Sequence, residues 1–201
     1  MRVAVVEYGV GNLNSVCRAV QEVGGDPELT RDPRDIREVD AVILPGVGHF
    51  GAAARELEET GLKDELLDVV GSIPVLGICL GMQLLMESSE EDPSVEGLGV
   101  FRGTCVELPE GVKRPHMGWN EVRFRAEEFS EFDGSMFYFA HSYRVAPEDD
   151  RVVLAVTEYG EEFPSMIGDV GKLVYGVQFH PEKSGPIGLK LLERVLWGAD
   201  R

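Results

Sequence analysis

The sequence predicts one α/β domain over residues 1–201, with a largely parallel central sheet in its first half and a mixed sheet in its second. Two patterns predict this fold class. Up to about residue 90, short β-branched apolar runs alternate with stretches of helical apolar spacing, which is typical of parallel strands joined by crossover helices. From about Gly97 to His180, strand-like runs follow one another between Pro, Gly and acidic turns. We find no repeat, linker or domain boundary, and the chain is long enough to bury one sizeable core.

In the first half, three short apolar runs predict buried strands: VAVVE (3–7), DAVILPG (40–46) and IPVLGIC (73–79). Helical spacing follows each of these strands. The first helix is predicted to begin at a cap at Asn12 and to end at Gly24 and Gly25. Helical segments follow the second strand up to about Val70, and LGMQLLME (80–87) is the helix after the third. Cys17 lies in the apolar stripe of the first helix, so we expect it in the core.

In the second half, the strand-like runs are TCVEL (104–108), NEVRF (120–124), MFYFAHSY (136–143), VVLAVTEY (152–159) and LVYGVQFH (173–180). A final helix is predicted in GPIGLKLLERVLW (185–197), which carries Ile187, Leu191, Val195 and Leu196 on one face. Strands of this kind without intervening helices indicate mixed pairing.

The charge balance is strongly acidic, with 36 Asp and Glu against 19 Lys and Arg and a net charge of −17. Such a field repels nucleic acid and anionic membranes, so those partners are disfavoured. The acids form short clusters such as ELEET and ESSEED, which indicate a solvated surface. Because an acidic surface keeps a protein soluble, we expect a salt-rich cytosol.

The expected compartment is the cytoplasm. No apolar run reaches 18 residues, and the apolar stretch after Arg2 is broken at Glu7, unlike a secretory signal. The three cysteines, Cys17, Cys79 and Cys105, are widely spaced and odd in number. This argues for reduced thiols rather than for a disulfide framework or a zinc site.

The corner between the third strand and its helix places Cys79 between two glycines, Gly77 and Gly81. A side chain there lies at the carboxyl end of a parallel sheet, where α/β folds bind ligands, and at a helix N-terminus, which favours an anion. The corner also directs the backbone N–H of Leu80 towards an oxyanion on an attacked carbonyl. Free cysteine is equally common as a small core residue, so the motif alone leaves nucleophile and core cysteine open.

A thiol nucleophile needs a base, and VQFHPEKSG (177–185) offers one. His180 ends a strand-like run, and Glu182 follows across Pro181. A carboxylate beside an imidazole can hold the ring in one tautomer while the ring takes up and returns a proton. A structural histidine paired with an acid is the alternative. Because His180 and Cys79 are both predicted at carboxyl ends of strands, we favour a shared site.

Gly46, Val47 and Gly48 form a glycine-rich turn after the second strand, in LPGVGHF (44–50). The turn lacks the lysine and the length of a phosphate-binding loop. Its position suits a second oxyanion donor that faces the first, although a plain tight loop would look the same.

The remaining histidines give weaker signals. His49 and His116 lie beside glycine or proline turns, which indicates structural or surface roles, whereas His141 ends a strand-like run and can line the same crevice. No spacing of His, Cys and Asp indicates a metal site, so neither a metal nor a cofactor is expected.

Together, GICLGMQLL, LPGVG and QFHPE resemble the triad, or class I, glutamine amidotransferases, which hydrolyse the side-chain amide of L-glutamine and deliver the ammonia elsewhere. The motifs stand in the family's order, and the resemblance spans residues 1–201. More narrowly, EYGVGNLNSV (7–16), PHMGWN (115–120) and FHPEKSG (179–185) are similar to the glutaminase subunits of imidazole glycerol phosphate synthase in histidine biosynthesis. The resemblance implies a three-layer class I glutamine amidotransferase-like fold.

The resemblance also implies roles for individual residues, and the chain does not depart from the family pattern at the triad. Cys79 would be the nucleophile, His180 the acid and base, and Glu182 its orienting partner. The oxyanion would be held by Gly46, Val47, Gly48 and Leu80. The amino-acid end of glutamine would be held by Gln83, Glu91, His141, Ser142 and Tyr143.

A (β/α)₈ cyclase subunit is the partner that the resemblance implies; it receives the ammonia and makes imidazole glycerol phosphate and AICAR. We expect it to dock over the carboxyl ends of the parallel strands, on Asn12, Trp119, Tyr138 and Lys183. Trp119, expected in a loop, would be the main anchor unless it folds back over its own domain. Because glycines flank Val47, its segment has the freedom for two peptide orientations, of which partner binding would select one.

Three other functions stay open at this point. The chain could be the glutaminase subunit of another synthase, such as one for anthranilate or pyridoxal phosphate. It could be a non-catalytic DJ-1-like redox or chaperone protein, which would leave the His180–Glu182 pair unexplained. It could also be an interaction module that binds through its acidic surface.

Overall fold

The computed structural model describes residues 1–9 and 12–198. The elements of the first half are β1 Arg2–Val6, α1 Leu13–Glu22, β2 Asp26–Thr30, α2 Pro33–Ile36, β3 Ala41–Leu44, α3 Phe50–Glu59, α4 Leu62–Val69, β4 Val75–Ile78 and α5 Leu80–Leu84. Those of the second half are β5 Met86–Ser89, β6 Phe101–Glu107, β7 His116–Phe124, β8 Ser135–His141, β9 Tyr143–Pro147, β10 Val153–Tyr159, β11 Glu161–Asp169, β12 Val174–Val177 and α6 Gly185–Trp197. Short 3₁₀ helices lie at Glu127–Phe132, Asp150–Val152, Val170–Lys172 and Pro181–Lys183.

A nine-stranded sheet has the order β2-β1-β3-β4-β12-β11-β10-β7-β8. The pairs from β2 to β12 are parallel, and those from β12 to β8 are antiparallel. A separate small sheet joins β5, β6 and β9. The predicted fold class, parallel in the first half and mixed in the second, is therefore confirmed.

Helices cover both faces of the sheet, so the domain has three layers. Alternate residues of β1 belong to different cores: Val3 and Val5 pack in the cluster that contains α1 and α6, whereas Ala4 and Val6 pack in the cluster that contains α3 and α4. A strand buried on both faces reads as a continuous apolar run, which is why VAVVE and AVIL were recognisable.

Several elements differ from the sequence prediction. β2, β5 and β11 were not predicted, and the run 136–143 is divided into β8 and β9. The helix predicted over 80–87 ends at Leu84, because Met86 already pairs with Phe101 in the small sheet. In β11, Pro164 weakened the strand signal; it lies outside the stretch from Met166 onwards that pairs with β12.

The start of α1 also differs in detail. Asn12 occupies the N-cap position, but its side chain makes no capping hydrogen bond, so that expectation was wrong. Val10 and Gly11 of the turn before it lie outside the described residues. Cys17 is only partly buried at the edge of the core, and Gly24 ends the helix with a φ of 80° as expected. None of the helices in the described ranges is long and apolar enough to cross a membrane.

Candidate active site

The centre of the site is a sharp turn between β4 and α5, held against β12. Ile78 and Val177 are partners in register at the carboxyl ends of these parallel strands. Cys79 follows with φ 55° and ψ −104°, and its N–H donates to the carbonyl of Val177 at 2.7 Å. A non-glycine residue in this region stores strain of about 1–3 kcal/mol. The turn therefore holds Cys79 at the rim of the sheet in an unusual conformation.

The two glycines around Cys79 are required by close packing. A Cβ on Gly81 would overlap the carbonyl oxygen of Leu44, and a Cβ on Gly77 would lie 2.6 Å from the backbone of Gly81. Since real Cβ atoms do not approach so closely, α5 can start directly above β3 and β4 only with glycine at both positions. This confirms the interpretation of GICLG as a tightly packed strand-to-helix turn.

The sulfur of Cys79 lies beside a cavity of about 190 Å³. The side chain is 5% exposed; its Sγ lies 3.7 Å from the carbonyl oxygen of Ala140 and 3.6 Å from Nε2 of Gln178. The cavity is lined by Val47, Gly48, Cys79, Leu80, Gln83, Glu91, Pro115, Ala140, His141, Ser142 and Tyr143. Except for His180, Glu182 and Gly46, every residue predicted to act on glutamine therefore lines one cavity.

His180 and Glu182 form a buried pair directly after β12. His180 Nδ1 lies 2.8 Å from Glu182 Oε1, and both side chains are only 3% exposed. Burial alone would lower the pKa of His180, but the contacts with Cys79 and Glu182 outweigh it and raise that pKa to about 9. The ring is therefore protonated at neutral pH. Its Nε2 is buried, with no hydrogen bond of normal geometry among the described residues.

The glycine-rich turn lies beside the cysteine, but the expected oxyanion donor is engaged. The N–H of Leu80 donates to the carbonyl of Gly46 at 3.3 Å, so this amide does not point at an empty oxyanion position. Gly46 packs so closely on the hydroxyl of Tyr8 that a Cβ would overlap it. Gly48 has a φ of 130°, which favours glycine, and Val47 between them is 40% exposed.

The residues predicted for the amino-acid end of glutamine all line the cavity. Gln83 Nε2 donates to the carbonyl of Tyr143 at 2.9 Å and to Gln178 Oε1 at 3.2 Å. The carboxylate of Glu91 accepts the N–H of Phe50 at 2.6 Å, so it also binds the first turn of α3.

Sequence reasoning missed Gln178, Pro115 and Ala140 as site residues. Gln178 is fully buried and bridges Gln83 to the cysteine sulfur. Its signal was a lone polar residue in the otherwise apolar run before His180. Pro115 and Ala140 line the cavity without such a signal; Ala140 contributes the backbone carbonyl that lies 3.7 Å from the cysteine sulfur.

The residues expected at a partner interface fall into two groups. Trp119 lies in β7 and not in the expected loop, because the segment 116–122 pairs with β8. Its side chain is 52% exposed, and its ring meets the ring of Tyr138 edge-on, with 6.2 Å between the ring centres. The Lys183 ammonium lies 5.9 Å from the Tyr138 ring centre. Asn12 and Lys183 line a narrow gap beside Val47.

The other histidines and cysteines have the roles of ordinary core or surface residues, except for His116. His49 is exposed at the start of α3. Cys105 is fully buried, which raises the pKa of its thiol. His116 is buried between aromatic rings and contacts His141.

Comparison with known proteins points to one family. Residues 4–199 match the family model of the glutamine amidotransferase class-I proteins. The chain is 72% identical to the imidazole glycerol phosphate synthase subunit HisH of Methanopyrus kandleri, over all of both chains. It is 49% identical to the subunit HisH of Aquifex aeolicus, over all of this chain and 99% of the relative. A crystal structure of a glutamine amidotransferase superposes with a TM-score of 0.75 at 21% identity, covering 98% of this chain and 99% of the other, which shows the shared fold.

Proposed function

The chain belongs to the class-I glutamine amidotransferases and, within them, to the imidazole glycerol phosphate synthase subunits HisH, and on this premise we propose that it hydrolyses L-glutamine through a Cys79–His180–Glu182 triad and passes the ammonia to a cyclase subunit. The reaction yields L-glutamate and ammonia. The cyclase would use the ammonia to make imidazole glycerol phosphate and AICAR. With three free cysteines, the chain fits a reducing cytoplasm.

The observation that carries this proposal is the register of β4 and β12. It brings the cysteine and the histidine, about a hundred residues apart in sequence, to the carboxyl ends of adjacent strands, with Glu182 2.8 Å from the imidazole. A redox or chaperone protein would need the strained Cys79 but not the buried His180–Glu182 pair. Triad catalysis accounts for all three.

In the first step, the sulfur of Cys79 attacks the side-chain amide carbon of glutamine. A C–S bond forms, and the carbonyl electron pair moves to the oxygen, which backbone N–H groups from the Gly46–Gly48 segment and from Leu80 would stabilise. His180, protonated at neutral pH, gives its proton to the amide nitrogen. The C–N bond then breaks, and ammonia leaves behind a glutamyl thioester.

In the second step, His180 has lost its proton and acts as the base. It takes a proton from water, whose oxygen attacks the thioester carbon, and the C–S bond breaks as the electron pair returns to sulfur. Glutamate leaves the cavity, and the protonated imidazole with the cysteine sulfur is restored. Glu182 keeps Nδ1 of the ring oriented through both steps.

We place the cyclase subunit, a (β/α)₈ barrel, over the rim where the carboxyl ends of the parallel strands open. The supporting features are the exposed Trp119 and Met117 on β7 and Met136 on β8, next to Tyr138 and Lys183. Exposed aromatic and Met side chains of this kind are typical of interface centres. Docking there would close the cavity mouth and keep ammonia from bulk water.

The proposal is tested by replacing Cys79 with alanine and measuring glutamate release in the presence of the cyclase subunit and its ligand. We expect release to be abolished in Cys79→Ala and retained in Cys17→Ala, a control in which only packing changes. In the wild-type chain, 6-diazo-5-oxo-norleucine should label the peptide with Cys79 and neither other cysteine. Glutaminase activity in Cys79→Ala would refute the triad.

A further inference from the structure

His116 and His141 face each other across β7 and β8 and are joined by their ring nitrogens. They are partners in register, and His116 Nδ1 lies 3.0 Å from His141 Nε2. Both side chains are about 95% buried, and burial lowers the pKa of His116 to about 4 and of His141 to about 3. Both rings are therefore neutral at pH 7, and each carries one N–H.

The groups at the two ends of this pair determine where the protons lie. His141 Nδ1 lies 2.9 Å from the carbonyl of Tyr143, which can only accept, so Nδ1 carries the proton and Nε2 accepts. His116 must then donate from Nδ1, which leaves its Nε2 to accept from the side-chain amide of Asn120 at 3.3 Å. The Asn120 amide is fixed in turn: its oxygen accepts the N–H of Glu121, and its nitrogen also donates to the carbonyl of Glu158.

The chain of hydrogen bonds thus runs in one direction, from Asn120 through His116 and His141 to the Tyr143 carbonyl. The same carbonyl accepts from Gln83, whose side chain lines the cavity beside Cys79. Two donors converge on one carbonyl, so its position decides where the Gln83 side chain and the backbone of Ser142 and Tyr143 lie.

We propose that Asn120 and His116 are positioning residues for glutamine: through His141 they fix the Tyr143 carbonyl and with it the cavity wall that recognises the amino-acid end of the substrate. The proposal rests on the proposed function, because it takes glutamine as the occupant of the cavity. Neither Asn120 nor His116 lines the cavity. They act through the hydrogen-bond chain alone.

The spectroscopic test is the ¹⁵N signature of the imidazoles in the full chain. Both His116 and His141 should be observed as Nδ1–H tautomers that stay neutral from pH 5.5 to 8. In His116→Phe, His141 should lose its partner at Nε2 while its Nδ1 still faces the Tyr143 carbonyl. An Nε2–H tautomer for either ring in the wild type would overturn the proposal.

The functional test uses two substitutions that separate hydrogen bonding from stacking. His116 stacks on Phe139 and Tyr159, so His116→Phe keeps an aromatic ring but breaks the chain. His116→Asn loses the ring but keeps an amide donor where Nδ1 was. We expect His116→Phe to slow labelling of Cys79 by 6-diazo-5-oxo-norleucine by about three- to tenfold, the effect of one hydrogen bond, and His116→Asn to restore part of it. Slower labelling in His116→Asn than in His116→Phe would mean that His116 acts through packing, and it would refute the positioning role.

Iodoacetamide is the control reagent for the glutamine analogue, because it alkylates Cys79 without binding to the residues that recognise the amino-acid end of glutamine. In His116→Phe, its rate should stay within about twofold of wild type, since Gln83 keeps its bond to Gln178 and the sulfur keeps its contact with Gln178. Tyr159→Phe, which removes only the hydroxyl that binds the Lys113 carbonyl, should change neither rate. Equal slowing by both reagents would overturn the proposal. Failure of the proposed function would show separately, because the wild-type chain itself would then resist the glutamine analogue.

Discussion

At the scale of single residues, the site is defined by which polar groups are buried and paired. His180 keeps its proton at neutral pH although burial opposes the charge, because Cys79 and Glu182 lie beside it. The second oxygen of Glu182 has no hydrogen-bond partner among the described residues. Burial opposes the charge on this pair, and the contacts of His180 with Cys79 and Glu182 outweigh that cost.

The raised pKa of His180 makes a prediction about stability. A histidine with a pKa of about 9 in the folded state and about 6.5 unfolded stabilises the fold fully below pH 6.5, and this contribution is lost as pH rises through 9. Replacing His180 with Asn should therefore cost up to about 3 kcal/mol more at pH 6 than at pH 10. Urea unfolding of both proteins across this range measures the difference, with the exposed His49→Asn as the control. A difference that does not change with pH would mean that His180 is neutral in the fold.

Residues with rare chemistry could be predicted from sequence, whereas residues that act through packing could not. Cys79, His180 and Glu182 were proposed together because a cysteine at a glycine corner and an imidazole followed by a carboxylate were both predicted at the carboxyl ends of strands, although each motif alone also fits a structural role. The engagement of the Leu80 amide with Gly46 depends on backbone orientation, which no residue type encodes. The role of His116 depends on its partner across the sheet, and strand register was not predicted.

At the scale of elements, strands buried on both faces and most amphipathic helices were predictable, whereas β2, β5 and β11 were not. β1, β3, β4 and α6 lie within two residues of their predicted bounds, because burial on two faces or on one helical stripe leaves a strong pattern. β2 is an edge strand with exposed polar positions and contains Pro27, so its sequence looks like a loop.

The outer face of β7 and β8 leads to a prediction about partner binding. Replacing Trp119 with Ala removes the largest exposed side chain of this face, and affinity for the cyclase subunit should fall by about tenfold or more. Calorimetric titration of the purified subunits measures it. Leu29→Ala is the matched control, because Leu29 is similarly exposed but lies on β2, at the opposite edge of the sheet. Unchanged binding by Trp119→Ala, with the triad still active, would place the interface elsewhere.

At the scale of the whole molecule, the net charge of −17 and the charges buried beside the cavity are screened by salt to different degrees. Surface charges are screened within about 10 Å at moderate salt, whereas the buried His180–Glu182 pair is screened far less. The acidic field therefore affects solubility and association more than it affects the chemistry.

The hydrogen bond between the Leu80 N–H and the Gly46 carbonyl leads to a prediction about the complex with the cyclase subunit. With the Leu80 N–H engaged by Gly46, one donor is missing, and loss of one such donor typically costs about a hundredfold or more in turnover. Turnover of the isolated chain should therefore be low and should rise by about that factor when the cyclase subunit and its ligand are bound. Steady-state kinetics alone and in complex measure it, with a complex of Cys79→Ala as the blank. Equal turnover numbers would mean that docking leaves the segment unchanged.

The outer edge of β8, the last strand of the large sheet, is covered by the segment from His180 to Ser184. The carbonyl of Tyr138 accepts the N–H of His180, and the N–H of Tyr138 donates to Ser184 Oγ. The segment that carries His180 thus also covers a strand edge that another chain could otherwise pair with. A substitution that loosens this segment would uncover the edge, so aggregation and loss of activity should appear together, as light scattering beside an activity assay would reveal.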